Sequence, residues 1–304
     1  EHADVCSFEK EYRDVFSGFD EYLYDELIEK MTALNISKAE ATLSANIFER
    51  LKDIPLVDKY EAYQLLDDDW TKIAVDLEII QTEGFEATKR VDPNMVIKKK
   101  DGKEQEVQEG WVGRIIPFDL IQDTLLLDDR AALKTKENRL SEIASEYEEL
   151  FDSLTEEEKE GDYASEDGFV NAEIKKALKS DSVEPETKEK LRKVAALATE
   201  EKELKAAIKK DAGLLEGKTK ETIESLSDEQ VIDLLKDKWI TPLIQNLMKL
   251  PDSIVNELVS KLEALTKKYE TTFAEVETQI SETENVLSEM IDDLEGNEFD
   301  KLGL

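Results

Sequence analysis

The sequence predicts a mainly α-helical protein: a helical lobe with a small β-hairpin insert, and long heptad-patterned helices forming an antiparallel coiled-coil-like arm. Three observations carry this. Of the 304 residues, 38% are charged and 40% apolar, against usual shares of about 25% and 45–50%, a shift toward long solvated helices. Apolar residues recur at alternating three- and four-residue steps along most of the chain, the spacing of one helix face. From Gly84 to about residue 118 that spacing gives way to short strand-like runs around Asp101-Gly102.

Residues 5–30 read as a helix through Val5, Phe8, Tyr12, Phe16, Phe19, Leu23 and Leu27. A second helix starts near Ser37, a capping residue with Glu40 three residues on. Its stripe is Ala41, Ile47 and Leu51, and Pro55 ends it. Asp58 precedes a third, with Tyr60, Tyr63, Leu66, Trp70, Ile73 and Leu77; its aromatic residues read as core. Next, Met95 to Lys99 and Lys103 to Gln108 flank Asp-Gly, the dipeptide of a tight hairpin turn. Val112 to Ile116 is expected to add a third strand before Pro117. Lys98, Lys99, Lys100 and Lys103 crowd the tip, beside Lys89 and Arg90. They either blunt an edge strand or contact phosphate or a partner.

Residues 119–160 return to helix, with Leu126, Leu133, Leu140, Ile143, Tyr147, Leu150 and Leu154 at heptad spacing. Thr155 to Gly168 is acidic, aperiodic and contains two glycines, so an exposed, mobile loop is expected. A short helix follows over Phe169 to Leu178. Pro185 opens the next, where Leu191, Val194, Leu197, Leu204, Ile208 and Leu215 form a stripe that Gly213 and Gly217 should end. Asp228 to Leu250 carries Val231, Leu234, Leu235, Trp239, Leu243, Leu247 and Leu250, with Pro242 expected to break or kink it.

The last stretch organises the rest. No Gly or Pro interrupts Ile254 to Leu294. Phe273, Ile280, Leu287 and Leu294 are seven apart, and Leu262, Tyr269, Val276 and Met290 form the companion row, the seam of a supercoiling helix. One continuous helix would be about 60 Å long at 1.5 Å per residue, longer than a compact lobe covers. The stripe Leu262, Leu265, Tyr269, Phe273, Val276, Ile280, Leu287 and Leu294 is therefore a candidate partner contact, unless the chain itself covers it. Three segments result: 1–125, a helical lobe with the β-insert over about 84–118; 126–218, a helical hairpin arm with the acidic loop 155–168; and 219–304, helices ending in the long one.

Composition excludes several functions. The net charge is −34, and such a surface repels nucleic-acid phosphate, which is gripped by Lys and Arg. The lone Cys6 allows no internal disulfide and fits a reducing cytoplasm. No apolar run reaches the roughly 18 residues of a membrane span, and Glu1 to Asp4 do not resemble a signal peptide. A chain beginning at Glu1 reads as a piece of a longer or processed protein. One histidine, His2, and one cysteine cannot build a Ser-His-Asp or Cys-His engine or a Cys/His zinc site. No glycine-rich phosphate loop is present. Asp67, Asp68 and Asp69 are consecutive, so on a helix they point apart. Asp76 and Glu78 with Lys89 reproduce a nuclease-like set, but 74 acidic residues make such matches common. No catalytic, cofactor-binding or metal-binding residue is assigned.

Several stretches together carry a resemblance: IPLVDKYEAYQLLDDDW (Ile54 to Trp70), IIQTEGF (Ile79 to Phe85), KKKDGKEQEVQEGWVGRIIPFDLI (Lys98 to Ile121), LATEEKELKAAIKK (Leu197 to Lys210), DKWITPLI (Asp237 to Ile244) and LTKKYETTFAEVETQISETE (Leu265 to Glu284). In this order they resemble the C-terminal portion of the modification (M) subunit of type I restriction–modification enzymes, in its longer-tailed form. The resemblance implies a full-length protein that methylates adenine in DNA with S-adenosylmethionine. Its partners would be a specificity subunit and a restriction subunit, with DNA reached through the complex. The chain departs from the whole pattern: the Asn-Pro-Pro-aromatic motif is missing, Asp92-Pro93-Asn94-Met95 being the nearest string, and so is the cofactor motif. No catalytic residue carries over. What remains is a docking region, suited to pack along the specificity subunit's long helices through the seam Leu262 to Leu294 or the arm Leu133–Leu154/Leu191–Leu215. The alternative is an independent acidic adaptor, or a DNA mimic that inhibits DNA-acting enzymes.

Overall fold

The computed structural model describes residues 2–100, 103–165, 168–180, 183–270 and 273–292. It is mainly helical, with a two-stranded antiparallel hairpin. The chain forms two compact units, Glu1–Gly18 with Thr42–Asp67 and Ile244–Leu304, and Phe19–Ala41 with Asp68–Leu243.

In the first unit, helix α1 (Ala3–Val15) stops two residues before Ser17-Gly18. Gly18 has φ 70°, the left-handed conformation in which helices commonly end. The single helix expected over 5–30 is therefore divided, and α2 (Phe19–Leu23) begins the second unit's share. Tyr12 is fully buried and its hydroxyl donates to the Leu247 carbonyl at 2.8 Å; burial pushes the phenol's pKa well above its ordinary value. Arg50 donates to the carbonyls of Val15 and Ser17, so it holds the end of α1.

Two helices contribute residues to both units. In α3 (Ile36–Arg50) the buried face is Ala39, Leu43, Ser44 and Ile47. Ala41 is exposed, so the expected stripe was rotated there. Helix α4 (Lys59–Glu83) is capped by Asp58, which accepts from the Tyr60 N–H at 2.8 Å, the usual N-cap arrangement. Leu66, Trp70, Ile73 and Leu77 are buried as expected, whereas Tyr60 is exposed.

Strands β1 (Val91–Lys100) and β2 (Lys103–Gly113) pair in register from Val91↔Gly113 to Lys100↔Lys103, with a bulge near Met95. The Asp101-Gly102 dipeptide lies outside the described residues. The expected third strand does not form: Val112 belongs to β2, while Ile115 and Ile116 are buried in the connection to α5 (Phe118–Thr124). Gly113 explains the sharp exit, because a Cβ there would sit 1.8 Å from the Ile116 carbonyl oxygen.

Helices α6 (Leu127–Asp152) and α9 (Pro185–Glu224) pack together. Lys218 meets Asp129 at 2.8 Å, Asp211 pairs with Lys136, Glu200 meets Arg139 at 2.7 Å, and Lys190 donates to the Ser153 carbonyl at 2.9 Å. One number rises as the other falls, so the two helices run in opposite directions. Of the expected α6 row, Ile143 and the following Leu154 are buried; Leu126, Leu133, Leu140, Tyr147 and Leu150 are half-buried. Gly213 and Gly217 do not end α9. Each costs about 1 kcal/mol in a helix interior, but Leu215, Thr219 and Ile223 are buried and packing carries the helix on.

The acidic segment expected to be loose contains α7 (Glu156–Lys159) and the two-residue strands β3 (Ala164–Ser165) and β4 (Gly168–Phe169). Thr155 and Glu158 form a reciprocal capping box, which satisfies donors at the helix start. Tyr163 joins Leu154, Ile174 of α8 (Asn171–Ala177), Leu191 and Val194 in a small core. Farther on, α10 (Asp228–Trp239) and α11 (Thr241–Met248) break at Ile240, just before Pro242, as its missing N–H requires.

The continuous helix expected from Ile254 to Leu294 is two helices, α12 (Leu250–Lys268) and α13 (Phe273–Asp292). The intervening sequence is Tyr269-Glu270-Thr271-Thr272. Consecutive β-branched threonines are weak helix formers and good caps, a break signal that a search for Gly and Pro overlooks.

Candidate docking surface

Pro251 is buried, Ile254 and Val255 are half-buried, and α12 contacts α1. Its first turn is thereby anchored. From Asn256 to Met290 every described side chain is exposed. Leu262, Leu265, Tyr269, Phe273, Val276, Ile280 and Leu287 are all among them, from 40% exposed at Val276 to 82% at Phe273. Leu258, Val259 and Met290 extend the row. Leu294 lies outside the described residues. The spacing that identified the stripe also holds within each helix, so these residues share a face of α12 and a face of α13. An exposed apolar row of this length is uncommon on a monomer.

The basic cluster at the hairpin is less available than its sequence suggests. Lys98 pairs with Glu109 on the facing strand. Lys99 is exposed, and Lys100 and Lys103 have side chains outside the described residues. Lys89 is held by Asp228 at 2.5 Å and by Glu86 at 3.7 Å, and Arg90 meets Glu83 at 3.3 Å. Glu83 also pairs with Arg114, whose hydrogen bond holds the carboxyl below its ordinary pKa. The nuclease-like set does not assemble: Lys89 bonds Asp228, while Asp76 is buried and bonds Lys238 and the Trp239 indole, the latter at 2.8 Å. Lys238 also donates to the Ile115 carbonyl at 2.6 Å. This partly buried pair ties α4 to α10.

Comparison with family models, curated proteins and solved structures gives no match. The chemistry must therefore be judged on geometry. Among the described residues no group of three His, Cys, Asp or Glu could hold a metal ion, and no helix is long and apolar enough to cross a membrane. Cys6 is exposed, and His2 caps the start of α1, accepting from the Asp4 N–H. A cavity of about 510 Å³ is lined by Tyr147, Glu148, Phe151, Asp152, Gly168, Phe169 and Asn171.

Two clusters escaped sequence reasoning. Glu158 accepts from Thr187 at 2.6 Å and from Lys190 at 3.0 Å. Burial works to raise its pKa, but the hydrogen bonds from Thr187, the Thr155 N–H and Lys190 outweigh it and hold the carboxyl at about 2. At the hairpin base, the Trp111 N–H donates to Glu216 at 2.8 Å and Lys220 stands 3.3 Å from the ring centre, a cation–π contact. Gly110 has φ 74°, and a Cβ there would strike the Glu216 carboxylate. All these partners are far apart in sequence; only the Thr-x-x-Glu capping pattern at Thr155 was readable locally.

Proposed function

We propose that this chain is the C-terminal docking region of the modification subunit of a type I restriction–modification enzyme. Helices α12 and α13 offer the seam along which the specificity subunit packs. The observation that carries the reading is the exposure of every described side chain from Asn256 to Met290, across an apolar row. Burying one large apolar side chain is worth about 1.5–3 kcal/mol, so seven or more can exceed the association cost of roughly 4–15 kcal/mol. The antiparallel pair α6 and α9 would be the coiled-coil-like arm, with its half-buried leucines as a second face for the complex. Catalysis lies elsewhere in this reading: an upstream domain binds S-adenosylmethionine and methylates adenine, and the restriction subunit joins the assembly. The chain's acidity is consistent with DNA being reached through its partners.

The test is co-purification of the chain with the cognate specificity subunit. Phe273→Asp with Ile280→Asp should abolish it while circular dichroism and the unfolding midpoint stay near those of the unsubstituted chain. Undiminished assembly contradicts the proposal.

A further inference from the structure

Resting on that docking reading, we infer that the helix covering α13 borders its own apolar seam with lysine and arginine. The argument starts from charge placement. Phe273, Val276, Ile280, Leu287 and Met290 are exposed on α13. Glu277 and Glu284 come four residues after Phe273 and Ile280, so they flank the same face. The other charged residues of α13 are Glu275, Glu282, Glu289 and Asp292; it contains no lysine or arginine. Helix α12 is unlike it. Lys261, Lys267 and Lys268 balance Asp252, Glu257 and Glu263 there, and Lys261 meets Glu257 at 2.6 Å, which lowers the Glu257 pKa. Helix α12 settles charge within itself, whereas α13 has no cation of its own to do so.

Covering the α13 seam brings a second surface against this carboxylate border. A charge moved out of water is expensive unless an opposite charge meets it. A second copy of α13 would bring carboxylates against carboxylates, and like charges juxtaposed across an interface cost several kcal/mol. The chain's own surface is of the same sign overall, at −34. A helix of another protein, apolar along its seam and basic at its border, removes both objections. The carboxylates would also speed its approach, because complementary charge steers encounter.

The experiment measures binding of the full chain to the specificity subunit across ionic strength, with three variants. For the unsubstituted chain, affinity should weaken about tenfold between low salt and ~0.5 M, since a rim of charges is screened there. Glu277→Gln with Glu284→Gln should bind more weakly at low salt and flatten that dependence; Glu277→Lys with Glu284→Lys should weaken it further, chiefly through the association rate. Binding indifferent to salt and to both glutamate pairs, yet lost with Phe273→Asp and Ile280→Asp, overturns the inference and leaves the docking reading standing. Binding indifferent to the Phe273 and Ile280 substitutions overturns both. A dimer of the chain alone, dissociated by those substitutions, makes the occupant a second copy and overturns the inference.

Discussion

In α9 the apolar residues Leu191, Val194 and Leu197 are buried, whereas Leu262, Leu265, Phe273 and Ile280 in α12 and α13 stand in solvent. Both rows have the spacing of a helix face that wants a partner. The difference lies in what surrounds them. Around α9, Lys190, Glu200, Asp211 and Lys218 each meet a complementary group on or next to α6. Leu154, Tyr163 and Ile174 also close over its first turns. The charged residues of α13 itself are all carboxylates. Periodicity announces that a face is to be covered; the charges and the neighbouring chain decide by what.

The contrast can be broken most strongly in the covered region. Leu191→Ala should destabilise its unit by about 3 kcal/mol, the usual cost of a large-to-small change in a core, read as a shift in the urea midpoint. The same truncation at Phe273, 82% exposed, should stay within about 0.5 kcal/mol, as surface changes do. Equal losses at both sites would erase the distinction between covered and bare rows.

That distinction was partly legible beforehand. Helical character, the hairpin and the break before Pro242 follow from local chemistry, and local chemistry is what a sequence displays. The end of α9 was misjudged because Gly213 and Gly217 are weak helix formers, yet buried Leu215, Thr219 and Ile223 override propensity through packing. The segment after Thr155 looked aperiodic because its order comes from Tyr163, which packs against Leu191 and Val194, and from Glu158, which bonds Thr187 and Lys190. The break between α12 and α13 was missed because neither Gly nor Pro stands between Lys268 and Phe273. Of the candidate surface, the apolar row was readable residue by residue; its exposure was not, since cover is a tertiary property.

Smaller effects sharpen the comparison. Asp76→Ala should cost about 2–3 kcal/mol, below the loss for a fully buried pair because Lys238 keeps some access to water; the Lys238 and Trp239 donors would be left behind. Glu158 gives a pH signature. Its folded pKa lies at about 2 against an ordinary 4.5, so its stabilisation is complete above 4.5 and fades as pH falls toward 2. The gap in urea midpoint between the unsubstituted chain and Glu158→Gln should therefore be open at neutral pH and narrow through that window; a constant gap would reject the assignment. Smallest is Arg139→Ala. Its fork reaches Glu142, Glu146 and Glu200, all in part exposed, so the loss should shrink in high salt.

The central claim is that α12 and α13 are bare until a partner arrives, and amide hydrogen exchange over residues 256–290 tests it most directly. In the chain alone these amides should exchange quickly, as in helices with no packed face. Adding the specificity subunit should slow them by orders of magnitude while α9 changes little. Slow exchange in the chain alone, or no change on adding the subunit, would contradict the account.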